Sequence, residues 1–415
     1  MSAITAALSL ALASHAVSVE RVPLREGCEP EERAITELRQ GDPVEVRFRL
    51  AGNGGGCFKV TAQSGGRTVD GYLPVNAVSG IEEFEEGRRS APSVNIPETL
   101  RADGAAIESA AFARGPGEPG ARAARLVQAN RPLEALRILE PAARSDSADA
   151  GLLSLAGYAA YRADDMRLAM DYWQRALAFG PNASVERLYR MAEREAHEDQ
   201  SGERLVGSRF QLRYNRRNMS AATAREIVVM LEREWSRVSQ ELGCRAEERI
   251  VAIVQTPEEY HKTTAAAEWS AGQYNGRIRV AAADQGRLDE RTRQIFAHEL
   301  THACLAGVGD FPIWLHEGLA QKLAGATLSP RGEELVRRMA AAGQLPRLEK
   351  LSQTWARMST AHAAVAYGAA LLAVELFYQH HAAVGARNLL RNPHMLTQIQ
   401  ADLDRRLQAL ELSRR

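Results

Sequence analysis

At 415 residues the chain is long enough for two or three domains and a sizeable core. Lys plus Arg and Asp plus Glu both number 52, so the formal net charge is zero and nothing points to a nucleic acid or an anionic membrane as partner. An apolar content of 45% is that of an ordinary globular protein. Residues 1–16, MSAITAALSLALASHA, hold an Ala- and Leu-rich run followed by the small-x-small site Ser14-His15-Ala16. The run predicts a secretory signal peptide and an exported protein, periplasmic or extracellular, although no Lys or Arg opens it. An ordinary apolar helix in a cytoplasmic protein is the alternative. No other run is long enough to span a bilayer, so the mature protein is expected to be soluble.

Residues 17–88 read as short strands and turns. VEVRFRL (44–50) alternates, a Gly-Asn-Gly-Gly-Gly loop follows, and CFKVTA and TVDGYLPVNAVSGI are further strand candidates. No helix or Gly-Lys-Ser follows the glycine run, so it is a loop and not a phosphate cradle. The stretch Asp70-Gly71-Tyr72-Leu73-Pro74-Val75-Asn76-Ala77-Val78 is similar to the closing strand of SH3-like barrels, where such a pattern forms a turn. That resemblance implies a small β-barrel able to bind a protein or cell-wall ligand. Of the four cysteines, Cys28 and Cys57 can pair in an exported protein and staple this domain, whereas Cys304 reads as a small buried filler. Residues 89–117, rich in Pro, Gly, Ser and Ala, read as a linker with one short helix in its middle.

Residues 118–203 are helical. From Ala150 to Pro181, the residues Gly157, Ala169, Trp173, Ala176 and Pro181 stand where a 34-residue tetratricopeptide repeat places small residues, a groove-filling aromatic and a terminator. Ala135, Leu139 and Ala142 occupy the matching offsets one repeat upstream. Two repeats at most are present, so they are expected to lean on a neighbour or on helix 183–198. Their surface is a candidate peptide- or partner-binding face, and a spacer is equally tenable.

From residue 204 onward, SRFQLRY (208–214), ERIVAIVQ (248–255) and RIRVAA (277–282) read as strands. A helix capped by Ser220 and stopped by Gly243 lies between the first two. Next comes RTRQIFAHELTHACLAGVGDFPIWLHEGLA (291–320). On a helix, opened here by Asp289, His298 and His302 project from one face at one turn's spacing, as two ligands of one metal ion require. Glu299 beside them can serve as general base. Phe296, Leu300 and Ala303 form an apolar face on the other side, which argues against a helix whose histidines are merely buried and satisfied. Glu317 is the best third ligand, because the glycines and proline of 307–312 let a second helix from near Ile313 fold back.

The pair HELTH and WLHEGLA resembles the gluzincin metallopeptidases, and most closely the compact peptidase MA-like proteins. Position by position the resemblance implies zinc held by His298, His302 and Glu317, with Glu299 as base. The metzincin pattern fails, since residue 305 is leucine and residue 308 is valine. Asp310 reads as a turn former, and His316 as a surface residue or a residue behind the ligands. The family also implies a mixed sheet before the zinc helix whose last strand pairs with substrate. That places substrate main chain along Gly272–Val280, with Gly272 and Tyr274 as binding residues unless Tyr274 and Arg279 are simply at the surface. The helical remainder, LPRLEKLSQTW (345–355) and AAVAYGAALLAVELFYQ (363–379), supplies Tyr367 as candidate oxyanion donor, with His362 as substitute. Tyr378, His380 and His381 look exposed.

The expectation is a multidomain α+β protein: signal peptide 1–16, SH3-like barrel 17–88, linker 89–117, tetratricopeptide-like helices 118–203 and a thermolysin-like zincin domain 204–415. Its expected function is zinc-dependent hydrolysis of peptide bonds. No Gly-x-Met-Glu-Asn motif is present, so an endopeptidase is expected. The rival is an envelope scaffold whose front modules bind partners.

Overall fold

The computed structural model describes residues 15–27, 31–50, 57–64, 67–81, 98–113, 118–145, 148–198, 202–264, 271–282, 288–352, 355 and 360–410. The chain is mixed α and β and divides into two compact units, one on the residues up to Ala91 and one on most of the chain from Pro92 onward. Residues 1–14, most of the expected signal peptide, lie outside the described residues.

The first unit is an antiparallel sheet of seven strands in the order β3-β2-β6-β5-β4-β1-β7. These are β1 His15–Val17, β2 Arg21–Arg25, β3 Ala34–Arg39, β4 Pro43–Leu50, β5 Cys57–Ser64, β6 Arg67–Pro74 and β7 Val78–Ser79. One face gathers Leu24, Leu38, Val44, Val46, Phe58, Val60 and Leu73 into a core. The closed barrel of the expectation is not formed among the described residues, because β3 and β7 end the order without pairing. The physical reason is the shortness of β7 and the charged edge of β3, where exposed Glu37 and Arg39 discourage further pairing. The expected turn is present as a 3-10 turn over Val75–Ala77, between β6 and β7. Cys57 is disulfide-bonded, and its expected partner Cys28 lies outside the described residues.

The second unit is built on a five-stranded sheet of order β11-β12-β10-β9-β8. Its strands are β8 Gly202–Val206, β9 Phe210–Asn215, β10 Ile250–Gln255, β11 Gly272–Tyr274 and β12 Ile278–Ala281. Strands β9, β10 and β12 are parallel, and antiparallel β8 and β11 close the two edges. Parallel strands must be covered on both faces. Phe210, Leu212, Ala252, Ile278 and Val280 alternate onto one face, packed by α7 (Ala221–Leu242) and α9 (Glu290–Val308). Trp235 of α7 meets Phe210 edge-on at 6.4 Å. Ser220 and Asp289 cap α7 and α9 as expected, each accepting from a backbone N–H three residues on, and Gly243 ends α7 in the left-handed conformation.

The opposite face is covered by helices from the front of the chain. These are α1 Glu98–Phe112, α2 Pro119–Gln128, α3 Pro132–Ala143, α4 Ala150–Arg162, α5 Met166–Leu177 and α6 Ala183–Glu198, followed later by α8 Pro257–Thr264. The 34-residue period is visible in the backbone: the only described non-glycine residues at positive φ are Asn130 and Asp164, which occupy the same turn of successive helix pairs. Asn and Asp are the residues that best tolerate that conformation. Trp173 is fully buried and donates its Nε1–H to the Ser154 carbonyl at 3.1 Å.

Here the expected organisation is corrected at one point. Residues 98–112 are no linker: Asp103, Ile107 and Ala111 are buried, and Asp103 pairs with Arg187 of α6 at 2.5 Å. The helical segment leans on the sheet, the support that so few repeats need. Glu195 of α6 pairs with Arg277 at 2.5 Å and Arg279 at 2.9 Å, and Asp164 pairs with Arg213 at 2.7 Å and Arg277 at 3.2 Å. Tyr161 donates to Glu195 at 2.6 Å and accepts from Asn275 at 3.1 Å. All seven residues are buried, so Arg279 is a core cation and not a surface residue.

After the sheet come α10 (Ile313–Ala324), α11 (Pro330–Ala341), α12 (Thr360–Arg391) and α13 (Leu396–Gln408). The helix expected over 345–355 is reduced to a 3-10 turn at Lys350–Ser352, since Pro346 disfavours helical backbone just before it. Cys304 is not a filler: it forms a disulfide with Cys244 that ties α9 to the residue following the Gly243 cap of α7. No helix among the described residues is long and apolar enough to cross a membrane.

Candidate metal centre

Helix α9 is buried along nearly its whole second half, from Phe296 to Leu305. It packs on β11, β12 and α7 as well as on α10; His298 and His302 meet Glu317 of α10, whereas Glu299 lies against β11. The two imidazole Nε2 atoms stand 3.1 Å apart. Glu317, on the second turn of α10, brings Oε2 to 3.5 Å from His298 Nε2 and 3.7 Å from His302 Nε2. One ligand atom from each of the three residues lies within 4.8 Å of the others, and all three are buried. This set could hold a metal ion.

Orphaned polar atoms support the fit. Glu299 is fully buried, and neither carboxylate oxygen has a hydrogen-bond partner among the described residues. His298 Nδ1 likewise has none. Buried charge of this kind is normally compensated, and a cation at the convergence of the three donors would do so. Burial pushes the Glu299 carboxyl well above the usual glutamate range, and Glu317 pushes it further. Burial and then the neighbouring His302 hold the His298 imidazole well below its ordinary value, in the neutral form that binds metal.

Two glycines make the arrangement possible. A Cβ on Gly272 would come within 2.5 Å of Glu299 Oε1 and 2.7 Å of Ile295 Cγ2, so the β11 backbone lies directly against the Glu299 carboxyl. On α10, a Cβ on Gly318 would come within 2.5 Å of both the Ala370 carbonyl and Val374 Cγ2. The glycine after Glu317 thus lets α12 cross at backbone contact, and Gln321 fastens the crossing by donating to the Tyr367 carbonyl at 3.0 Å. That crossing carries Tyr367 to the site. Burial first, then Glu317 and Glu299, push its hydroxyl well above the ordinary tyrosine range, so it is a neutral donor in the field of both carboxylates. Trp355 packs edge-on against its ring at 4.8 Å.

His298, Glu299, His302, Glu317, Gly272 and Tyr367 therefore gather in one place. The expected substrate strand is narrower than Gly272–Val280: β12 lies inside the sheet, and only β11 forms the edge. Tyr260 donates to the Gly272 carbonyl at 2.7 Å. Tyr274 is buried, not superficial. His362 is exposed, as are His380 and His381, and Asp310 is exposed on the loop between α9 and α10.

His316 is placed more definitely than its sequence position allowed. It is buried and stacks on His302 with ring centroids 5.7 Å apart, and the two Nδ1 atoms are 3.4 Å apart. A hydrogen bond there fixes the His302 tautomer and leaves Nε2 for the metal. Its only sequence signal is adjacency to Glu317. The disulfide at Cys304 had the weak signal of a cysteine two residues past a ligand. In comparisons with known proteins, no family model, no curated protein and no solved structure matches the chain.

Proposed function

We propose that the protein is a zinc-dependent peptidase, and more specifically an endopeptidase of the gluzincin kind. The observation that carries this is the convergence of His298, His302 and Glu317 beside a fully buried, unpartnered Glu299. Two imidazoles and a carboxylate suit zinc best among common divalent ions. When bound, zinc supplies a Lewis acid that polarises the scissile carbonyl and acidifies the attacking water. Glu299 takes the proton from that water and returns it to the leaving amine; its raised proton affinity suits a carrier that must do both. Tyr367 donates a hydrogen bond to the developing oxyanion. Strand β11 aligns the substrate main chain by strand addition, and Gly272 keeps its own bulk away from Glu299.

A scaffold with a structural metal would have no use for Glu299 next to an edge strand, so we place that reading second. The disulfides at Cys244–Cys304 and at Cys57 support export to an oxidising compartment. The first test pairs wild type with Glu299→Gln, measuring metal content and cleavage of an unfolded-protein substrate. Both should bind about one zinc, with cleavage reduced on the order of 10²- to 10⁴-fold in the variant and abolished by chelator. A folded wild type that takes up no zinc would overturn the site. Zinc without cleavage would favour the scaffold.

A further inference from the structure

Within the second unit, a cleft of about 590 Å³ opens beside the metal centre, between the front helices and the catalytic half. Glu108 of α1, Gln128 of α2 and Arg162 of α4 line it together with Tyr274, Gly276 and His316. His316 is the residue stacked on ligand His302, and Tyr274 lies two residues along β11 from the Gly272 that abuts Glu299. At about 3.3 Å per residue, a polypeptide paired with β11 enters this cleft two to three residues from the scissile bond.

Arg162 distinguishes the cleft. Its side chain packs against the turn between β11 and β12: a Cβ on Gly276, whose φ is +94°, would come within 1.8 Å of Arg162 Nε. Its hydrogen bonds go to neutral oxygens, the Tyr158 hydroxyl at 3.3 Å and the Asn130 side chain at 3.1 Å. The Nε is buried without a partner, and among the described residues Arg162 has no ion pair. Arg213, Arg277 and Arg279, the buried arginines of the same unit, each have a carboxylate. Arg162 is half-buried, and among the described residues the carboxylate that acts on it is Glu108, at longer range than an ion pair, so a guanidinium lining the cleft can still take a second anion. Glu108 is an incomplete counter-charge: burial pushes its proton affinity up, its carboxylate accepts from Gln128 at 2.9 Å, and Arg162 acts on it only at longer range. Arg125 and Asp310, both exposed, line the cleft with opposite charges.

We infer that the cleft is a substrate subsite in which Arg162 pairs with a carboxylate of the bound polypeptide, two to three residues from the cleaved bond. The carboxylate is an acidic side chain or the chain's own C-terminus. This rests on the peptidase reading for its meaning, but binding alone can test it. Short labelled peptides of one core sequence, with Asp or Asn at each position and a free or amidated C-terminus, are titrated by fluorescence anisotropy against the zinc-loaded full chain. The same peptides are then assayed for cleavage by mass spectrometry.

At one position, or with the free C-terminus, the carboxylate form should bind about tenfold tighter than its amide counterpart. Arg162→Gln should bring that ratio close to one, Arg162→Lys should restore part of it, and Glu108→Gln should widen it. If Arg162→Gln does not fold, the Lys and Glu108 variants decide through the same ratio. Equal binding of acid and amide forms throughout, or a preference that Arg162→Gln leaves intact, would overturn the inference. Tight acid-dependent binding with no cleavage would uphold the subsite and count against the peptidase.

Discussion

Two residues of the candidate metal centre have their proton affinities shifted in opposite directions, and stability should report both. An unfolded histidine takes up a proton below about pH 6.5, whereas folded His298 resists it, so His298 costs stability as pH falls from 6.5 towards its depressed folded value. An unfolded glutamate ionises above about pH 4.5, whereas folded Glu299 keeps its proton, so Glu299 costs stability as pH rises from 4.5 towards its raised folded value. Between those points the two effects oppose each other. Chelator-treated protein should therefore show a plateau from about pH 4.5 to 6.5, with an acid limb below and a decline above. Urea midpoints across that range measure it. In Glu299→Gln the decline above the plateau should vanish, and a decline that persists would mean that another group carries it.

At the scale of elements, the site depends on how closely backbones approach. Helix α9 supplies the two candidate ligands and the proposed base by its own periodicity, but such a base is useful only where β11 passes it. Gly272→Ala places a methyl group 2.5 Å from Glu299 Oε1, so the carboxylate must move. Misplacement of about an ångström should lower kcat on the order of 10²-fold while zinc content stays unchanged. Steady-state kinetics with metal analysis checks this. Loss of zinc in that variant would mean that β11 braces the ligands as well as the base. Gly318 serves the same end at the crossing of α10 and α12, and the Cys244–Cys304 bond ties the end of α7 to α9 near the ligands.

For the second unit as a whole, the helical repeats form the missing layer of an α/β sheet. Their contact with it is ionic as much as apolar: two arginines of one hairpin share the buried Glu195. Removing one partner of such a cluster leaves uncompensated charge, so Glu195→Gln should cost about 3 to 5 kcal/mol of stability. Exposed Glu193 on the same helix is the control, and its change to Gln should cost less than about 0.5 kcal/mol. Denaturant unfolding of both variants reads the difference. Similar small losses in both would mean that the arginines find other partners or water.

What the sequence by itself determined lies at short range. His298, Glu299 and His302 are legible because helical periodicity alone puts them on one face. Asp289, Ser220 and Gly243 are legible because caps act within one turn, and the repeat is legible because its 34-residue spacing recurs. Glu317 needed only a foldback across a short loop. Tertiary structure decided everything that depends on which faces meet. Arg277 and Arg279 alternate like surface residues, and only the acids opposite, Asp164 in the turn after α4 and Glu195 on α6, make them core. Cys304 looks like any small apolar position until the chain after α7 arrives beside it. The β strands of the first unit are written in local alternation, but whether their sheet closes depends on edge pairing between segments far apart in sequence. Periodicity specifies a side chain's direction; its partner is specified by the long-range packing that buries it.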